Sequence, residues 1–273
     1  MRYLRTMLLA AATSAIALSA AAQELVIGRA NEPQSIDPQF SRTGNNQMTS
    51  LHIFDRLILT DANVRPMPGL AVEWEAEDDT TWLVRLREGV TFHDGSPFTA
   101  ADVVYSLERA PDVPNSPASF AGSVANLASS EIVNDHTIRF TTATPDPLFI
   151  QNIGTVYIVS QAAAEGAANE DFNSGQAAIG TGPYEFVSWS PGDRLQLIRN
   201  DAYWGDSPAF ETVTMRFIAN DAARVAYPPS AAPSPRVGRS WKAVHSIKPP
   251  PPAYSGPGFP TCRWPRGPTC WSS

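Results

Sequence analysis

The sequence predicts a fold of the α/β class in its mixed α+β form, and three observations carry that reading. Short segments in which apolar and polar residues alternate are interspersed with segments whose apolar residues recur at helical spacing. The two kinds follow one another without a regular strand–helix–strand repeat. Both patterns stop near Tyr227, after which Pro, Ser, Arg and Trp follow without period.

Taken in order, "MRYLRTMLLAAATSAIALSAAAQE" sets Arg2 and Arg5 before an apolar run that ends in Ala20-Ala21-Ala22. The run is short for a membrane span and closes on an A-x-A site, so residues 1–22 read as a secretory signal peptide cleaved near Ala22–Gln23. No Cys follows that could take a lipid, and the expectation is a periplasmic protein that is not a lipoprotein. "ELVIGRA" then alternates as a strand, and Pro33 and Pro38 of "NEPQSIDP" turn it into an ordered loop. "NQMTSLHIFDRLIL" places Met48, Leu51, Phe54 and Leu57 at helical spacing, which predicts a helix in that stretch.

Leu70, Val72 and Trp74 alternate with Glu73 and Glu75, the pattern of a half-buried strand. Trp82, Val84 and Leu86 begin a hairpin that turns at Glu88-Gly89 and continues through Val90 and Phe92, and Asp94-Gly95 turns the chain again. Thr99 stands three residues before Asp102, the spacing of a capping box, with Val103, Val104 and Leu107 on the buried face of the helix it opens. "SEIVNDHTIRF" predicts two strands about an Asn134-Asp135 turn with Ile138 and Phe140 inward, and Ser160–Ala168 reads as helical. In "IGTGPYEFVSWSPGDRLQLIRN", Gly180 and Gly182 are expected to supply backbone angles closed to other residues. Tyr184–Trp189 pairs with Arg194–Arg199 across Pro191-Gly192-Asp193, and "FETVTMRFI" adds a last strand.

Residues 1–226 carry all 27 acidic groups against 14 Arg, whereas residues 227–273 carry six basic groups and no acid. An acidic body excludes nucleic-acid binding, which needs a basic footprint, and six scattered charges form no concentrated patch. Both cysteines, Cys262 and Cys270, lie in the second part, so the body does not rely on disulfides.

A catalyst is not visible. There is no G-x-S-x-G elbow, and S-x-x-K is impossible before Lys242. The four His are dispersed, with no H-E-x-x-H or C-x-x-C, so neither a metal nor a cofactor is implied. His93-Asp94 has the makings of a general base, but Asp-Gly at 94–95 favours a turn. "IGTGPYE" lacks the lysine and spacing of a phosphate loop. Trp74, Trp82, Tyr105, Trp189, Tyr203 and Trp204 read first as core and second as the lining of a cleft.

At "LREGVTFHDGSPFTAADVVYSLERA" and "GTGPYEFVSWSPGDRLQLIRNDAYW" the chain resembles the family 5 bacterial extracellular solute-binding proteins, which serve peptide and nickel ABC importers. "EPQSIDP", "PMPGLAVEWE", "DHTIRF" and "FETVTMRFIANDAARVA" extend the resemblance over about residues 24–226. It implies a periplasmic binding protein-like type II fold and no enzymatic activity. It also implies a partial solute-binding domain over 23–226, with 23–50 and 160–226 in the first lobe and 51–159 in its extra subdomain. The family's second lobe has no counterpart here. A peptide or similar small solute and a membrane permease, which needs both lobes, are the partners implied, with the protein a monomer. Glu32, Thr43 and Asn45 match the part of the first lobe that borders the ligand cleft.

Three readings stand for residues 227–273: a Pro-rich groove-binding segment on "KPPPPAYSGPGFP", a small disulfide unit on Cys262 and Cys270, and translation of a GC-rich gene out of frame. The last is favoured, because Pro228-Pro229 interrupts a patterned helix where a natural boundary falls in a linker. Reading the gene in another frame from about codon 226 is therefore expected to restore patterned, family-like sequence. Unpatterned sequence in every frame would refute it.

Overall fold

The computed structural model describes residues 24–61, 63 and 65–226, so the signal peptide expected at 1–22 and the segment 227–273 lie outside the described residues. β1 (Glu24–Arg29) leads into the loop 30–43 and then α1 (Gly44–Ile53). β2 (Ile58–Thr60), β3 (Pro66–Pro68), β4 (Ala71–Ala76) and β5 (Thr81–Leu86) follow. α2 (Ala100–Arg109) and the one-turn α3 (Ala121–Val124) precede β6 (Leu127–Asn134) and β7 (Thr137–Thr142). Three short helices, α4 (Phe149–Ile153), α5 (Gln161–Ala164) and α6 (Asn169–Ser174), return the chain to β8 (Tyr184–Ser190), β9 (Arg194–Arg199) and β10 (Thr212–Phe217). α7 (Asp221–Ala226) closes the described part.

The strands form two four-stranded sheets and a two-stranded ribbon of β2 and β3. In the first sheet the order is β1-β10-β9-β8, with β1 parallel to β10 and the other pairs antiparallel. The second, β4-β5-β7-β6, is antiparallel throughout. One apolar cluster runs through both: Leu195, Leu197, Val213 and Met215 contribute from the first sheet, and Val84, Leu86, Ile138 and Phe140 from the second. The alternation of these residues with polar neighbours such as Arg85, Arg139, Gln196 and Thr214 is why the sequence reads as strands.

Several local expectations hold. Asp102 Oδ2 accepts from the Thr99 amide at 2.9 Å and from its hydroxyl at 3.0 Å, so the carboxylate half of the capping box is built as its spacing implies. Others are corrected. α1 stops at Ile53, because Phe54 is already extended, and Phe54 and Leu57 are buried beyond the helix. Met48 and Leu51 are 57% and 46% exposed; the helix buries Asn46, Thr49, Ser50 and Ile53 instead. The cause is its neighbour: the loop 30–43 presents backbone polar groups, and the Asn46 amide accepts from Gln34 N–H at 2.8 Å and donates to Ser35 C=O at 3.1 Å.

Nor does Val90–Phe92 form a hairpin with β5, whose neighbours are β4 and β7. Gly89 and Gly95 adopt positive φ, and residues 90–98 close on themselves through Phe92 N–H to Ser96 C=O and Phe98 N–H to Val90 C=O. Val72 is exposed because the β4–β5 register shifts between Ala71 and Glu73.

Gly180 and Gly182 are required by space and not by backbone angle. Neither has positive φ. A Cβ on Gly180 would lie 1.9 Å from the Ile53 carbonyl oxygen, and one on Gly182 would lie 2.5 Å from the Ile53 carbonyl carbon. The bare backbone of this loop rests on the end of α1, where Gly182 N–H donates to Ile53 C=O at 3.0 Å. Gly180→Ala is expected to destabilise the protein by about 3 kcal/mol or more in urea unfolding, the upper range for an overpacked site. Gly192→Ala, at a positive φ but in open space, should cost only about 1 kcal/mol. Equal effects of the two would overturn this account.

Candidate functional site

The loop 30–43 is anchored along its length by side chains from other elements. Arg109 on α2 grips Asp37 with both guanidinium nitrogens, at 2.6 and 3.1 Å, and also donates to Gln39 Oε1 at 2.9 Å. Asp37 is 1% exposed, so this is a bidentate pair formed out of water, the setting in which losing one partner is most harmful. The Gln39 amide donates onward to the Ser106 and Tyr157 carbonyls at 3.0 and 2.9 Å. Ser35 bonds Asn169 and Asn173 of α6, and Asn173 Oδ1 also accepts from Ile36 N–H. Most of the side chains that hold the loop come from α1, α2 and α6, each of which buries part of its surface in the core.

On this platform Thr43 and Asn45 come together at the start of α1. Thr43 is the N-cap and is exposed, and its hydroxyl accepts from Ser41 at 3.1 Å. Asn45 is half-buried, and its carbonyl accepts from Arg29 at 3.3 Å and from Thr49 at 3.2 Å. Glu32 is engaged elsewhere: its carboxylate accepts from Gly192 N–H at 2.8 Å, across to the turn between β8 and β9. Sequence reasoning passed over two neighbours. Arg29 ends β1 and donates to Thr49 Oγ1 at 3.0 Å, and Arg42 immediately precedes Thr43 with its guanidinium 5.6 Å from the centre of the Phe120 ring. Their position in "VIGR" and "SRTGNN" was the available sign.

His93 is no base. Gly180 N–H donates to its Nδ1 at 3.3 Å and its Nε2 bonds Gly182 C=O at 3.0 Å, so both ring nitrogens serve the loop that rests on α1. Burial holds His93 below the ordinary imidazole range, and it does the same to His52. Asp94 is tied to Ser96 within its turn. Among the described residues, no group of His, Cys, Asp and Glu is placed to hold a metal ion, and no helix is long and apolar enough to cross a membrane.

Asp55, just past α1, is the other buried acid of note. Its Oδ2 accepts from Thr181 Oγ1 at 3.0 Å and from Trp204 Nε1 at 2.8 Å, and Arg87 stacks on Trp204 at 4.2 Å. Burial is the largest influence and raises its pKa to about 6, with the bonds from Trp204, Thr181 and Tyr203 acting against it.

Two sheets carrying a rigid loop beside the carboxyl ends of parallel β1 and β10 define a periplasmic binding protein-like lobe. The match to known proteins agrees. Residues 65–227 fit the family model of the bacterial extracellular solute-binding proteins, family 5 middle region. The protein XP55 of Streptomyces lividans is 33% identical over 75% of this chain and 37% of its own length. The periplasmic oligopeptide-binding protein OppA of Salmonella typhimurium is 29% identical over 68% of this chain and 37% of its own. The structure of the periplasmic binding protein DppA of Helicobacter pylori with the peptide STSA superposes with a TM-score of 0.65 at 28% identity, over 74% of this chain and 44% of that one. The chain belongs to the family 5 bacterial extracellular solute-binding proteins, which are binding proteins and not enzymes. It spans about two fifths of the length of the curated relatives it matches.

Asp55 gives a pH-dependent prediction. A carboxyl whose pKa is raised on folding weakens the native state when ionised, so its contribution improves as pH falls from about 7 through 6 towards 4. His52 and His93, lowered by burial, act in the opposite direction as pH falls below their ordinary value. The Asp55→Asn variant separates them. Its stability relative to wild type is expected to decline by roughly 2–3 kcal/mol between pH 7.5 and 4, measured by urea unfolding at each pH. A pH-independent difference would remove Asp55 from the account.

Proposed function

We propose that the chain is the solute-capturing component of an ABC importer, taking peptides in the periplasm for transfer to a membrane permease. Glu32, Thr43 and Asn45 border the cleft in this reading. The observation that supports it best is the rigid loop 30–43 beside Thr43 and Asn45 in a member of this family. Preorganisation of this kind lowers the ordering cost of holding a flexible ligand. The peptides named for OppA and for the DppA complex support peptides as the solute class. Export by residues 1–22 belongs to the same reading, and residues 227–273 play no part in it.

The described residues supply one face of such a site, and one face alone binds weakly. A complete site of micromolar affinity is worth about 8 kcal/mol, and losing half of its contacts brings it to about millimolar or weaker. A second reading, a structural or interaction fragment that binds nothing, draws support from the exposed Met48 and Leu51 on α1.

The test is an amide-resonance titration of the 273-residue chain with di- to pentapeptides. Shifts confined to residues 30–45, saturating at about millimolar concentration or above, are expected. A flat response across the whole series would leave the second reading.

A further inference from the structure

The chain holds twelve Arg between residues 24 and 226 against 27 acids, so each guanidinium has carboxylates to spare. Eight of the twelve lie within 4.0 Å of one. Among the described residues, Arg29, Arg42, Arg56 and Arg87 do not. Arg56 and Arg87 are stacked, on Tyr157 and Trp204. Arg29 and Arg42 are the two that adjoin Asn45 and Thr43.

The segments that carry and face Arg42 hold no negative charge. Residues 38–54, which carry Arg42, Thr43, Asn45 and all of α1, include no Asp or Glu. The facing segment 113–130 has no charged residue at all. That segment is fixed against the loop by Arg42 N–H to Ala118 C=O at 2.9 Å and by Ser116 Oγ to Phe40 C=O at 2.7 Å. Of the two acids in the loop 30–43, Glu32 spends its carboxylate on Gly192 N–H and Asp37 is held by Arg109. Arg29 meets only neutral partners, namely Thr49 Oγ1, Asn45 C=O and Met215 Sδ. Two guanidiniums without a carboxylate within 4.0 Å thus lie beside segments that carry no acid, while the nearest acids past β1 and β10, Asp193 and Asp221, are taken by Arg216 and Arg224. A cation left without a counter-ion in such a setting is matched by an anionic group arriving from outside.

We propose that Arg29 and Arg42 form a cationic rim that makes this chain selective for anionic peptides, whose acidic side chains they pair. The proposal rests on the solute-capturing reading above and adds the charge of the solute. Arg42 is exposed and free to swing from Phe120 to a carboxylate, whereas Arg29 is half-buried and fixed, so Arg42 is the residue to change.

The experiment titrates the full chain with the tripeptides Ala-Glu-Ala, Ala-Ala-Ala and Ala-Lys-Ala, following backbone amides and the guanidinium Nε–H resonances of Arg29 and Arg42. Ala-Glu-Ala is expected to bind about tenfold tighter than Ala-Lys-Ala, the scale of one charge-assisted hydrogen bond, and to move both guanidinium resonances. Arg42→Gln should reduce that ratio to about threefold or less and Arg42→Glu should invert it. Equal binding of the three peptides, or a ratio indifferent to Arg42→Glu, overturns the cationic rim while leaving solute capture intact. Silence in residues 30–45 towards all three at about 10 mM overturns both.

Discussion

The contact on which the rest of the structure depends is backbone against backbone, where the loop holding Gly180 and Gly182 lies on the last turn of α1. Nothing larger than hydrogen fits there, so the loop cannot move without lifting the helix. His93 bonds the same loop from the other side, at Gly180 and Gly182, and Thr181 reaches Asp55 directly beyond α1. Residues from three distant parts of the chain are thereby fixed to one another, and the two sheets share a single apolar core around them.

That fixity explains why polar groups are tolerated in the interior. The Asp37–Arg109–Gln39 cluster joins a loop to α2, and the Asp55–Thr181–Trp204 cluster ties three irregular segments to one another. Buried networks of this kind specify one arrangement more strongly than apolar contact does, because a shift of an ångström leaves a charge without its partner. The loop beside Thr43 and Asn45 gains definition without regular secondary structure. Its rigidity comes from side chains that are far away in sequence.

Much of the fold was legible from alternation. Leu195 and Leu197, Ile138 and Phe140, and the Thr99–Asp102 pair all declare their local structure within a few residues, and the structure agrees. What was not legible depended on partners remote in the chain. Met48 and Leu51 have helical spacing but face outward, since the face of α1 that meets the loop must supply hydrogen bonds. Gly180 and Gly182 look like angle-setting glycines, and only the position of Ile53 shows that they are spacers. Arg29 and Arg42 carry no motif; their significance lies in which carboxylates are absent around them, a property of the assembled surface.

The parallel pairing of β1 with β10 has a kinetic side. Glu24 accepts a hydrogen bond from Thr214, 190 residues away, and the whole of β1 is paired only with β10. The first strand to emerge during synthesis therefore has no partner until nearly all of the described chain exists. Loop closure over such a span contributes no native contact until it is complete, which makes folding slow and defers it to the end of synthesis. A nascent chain of this topology carries β1 as an unpaired strand edge until β10 arrives to cover it.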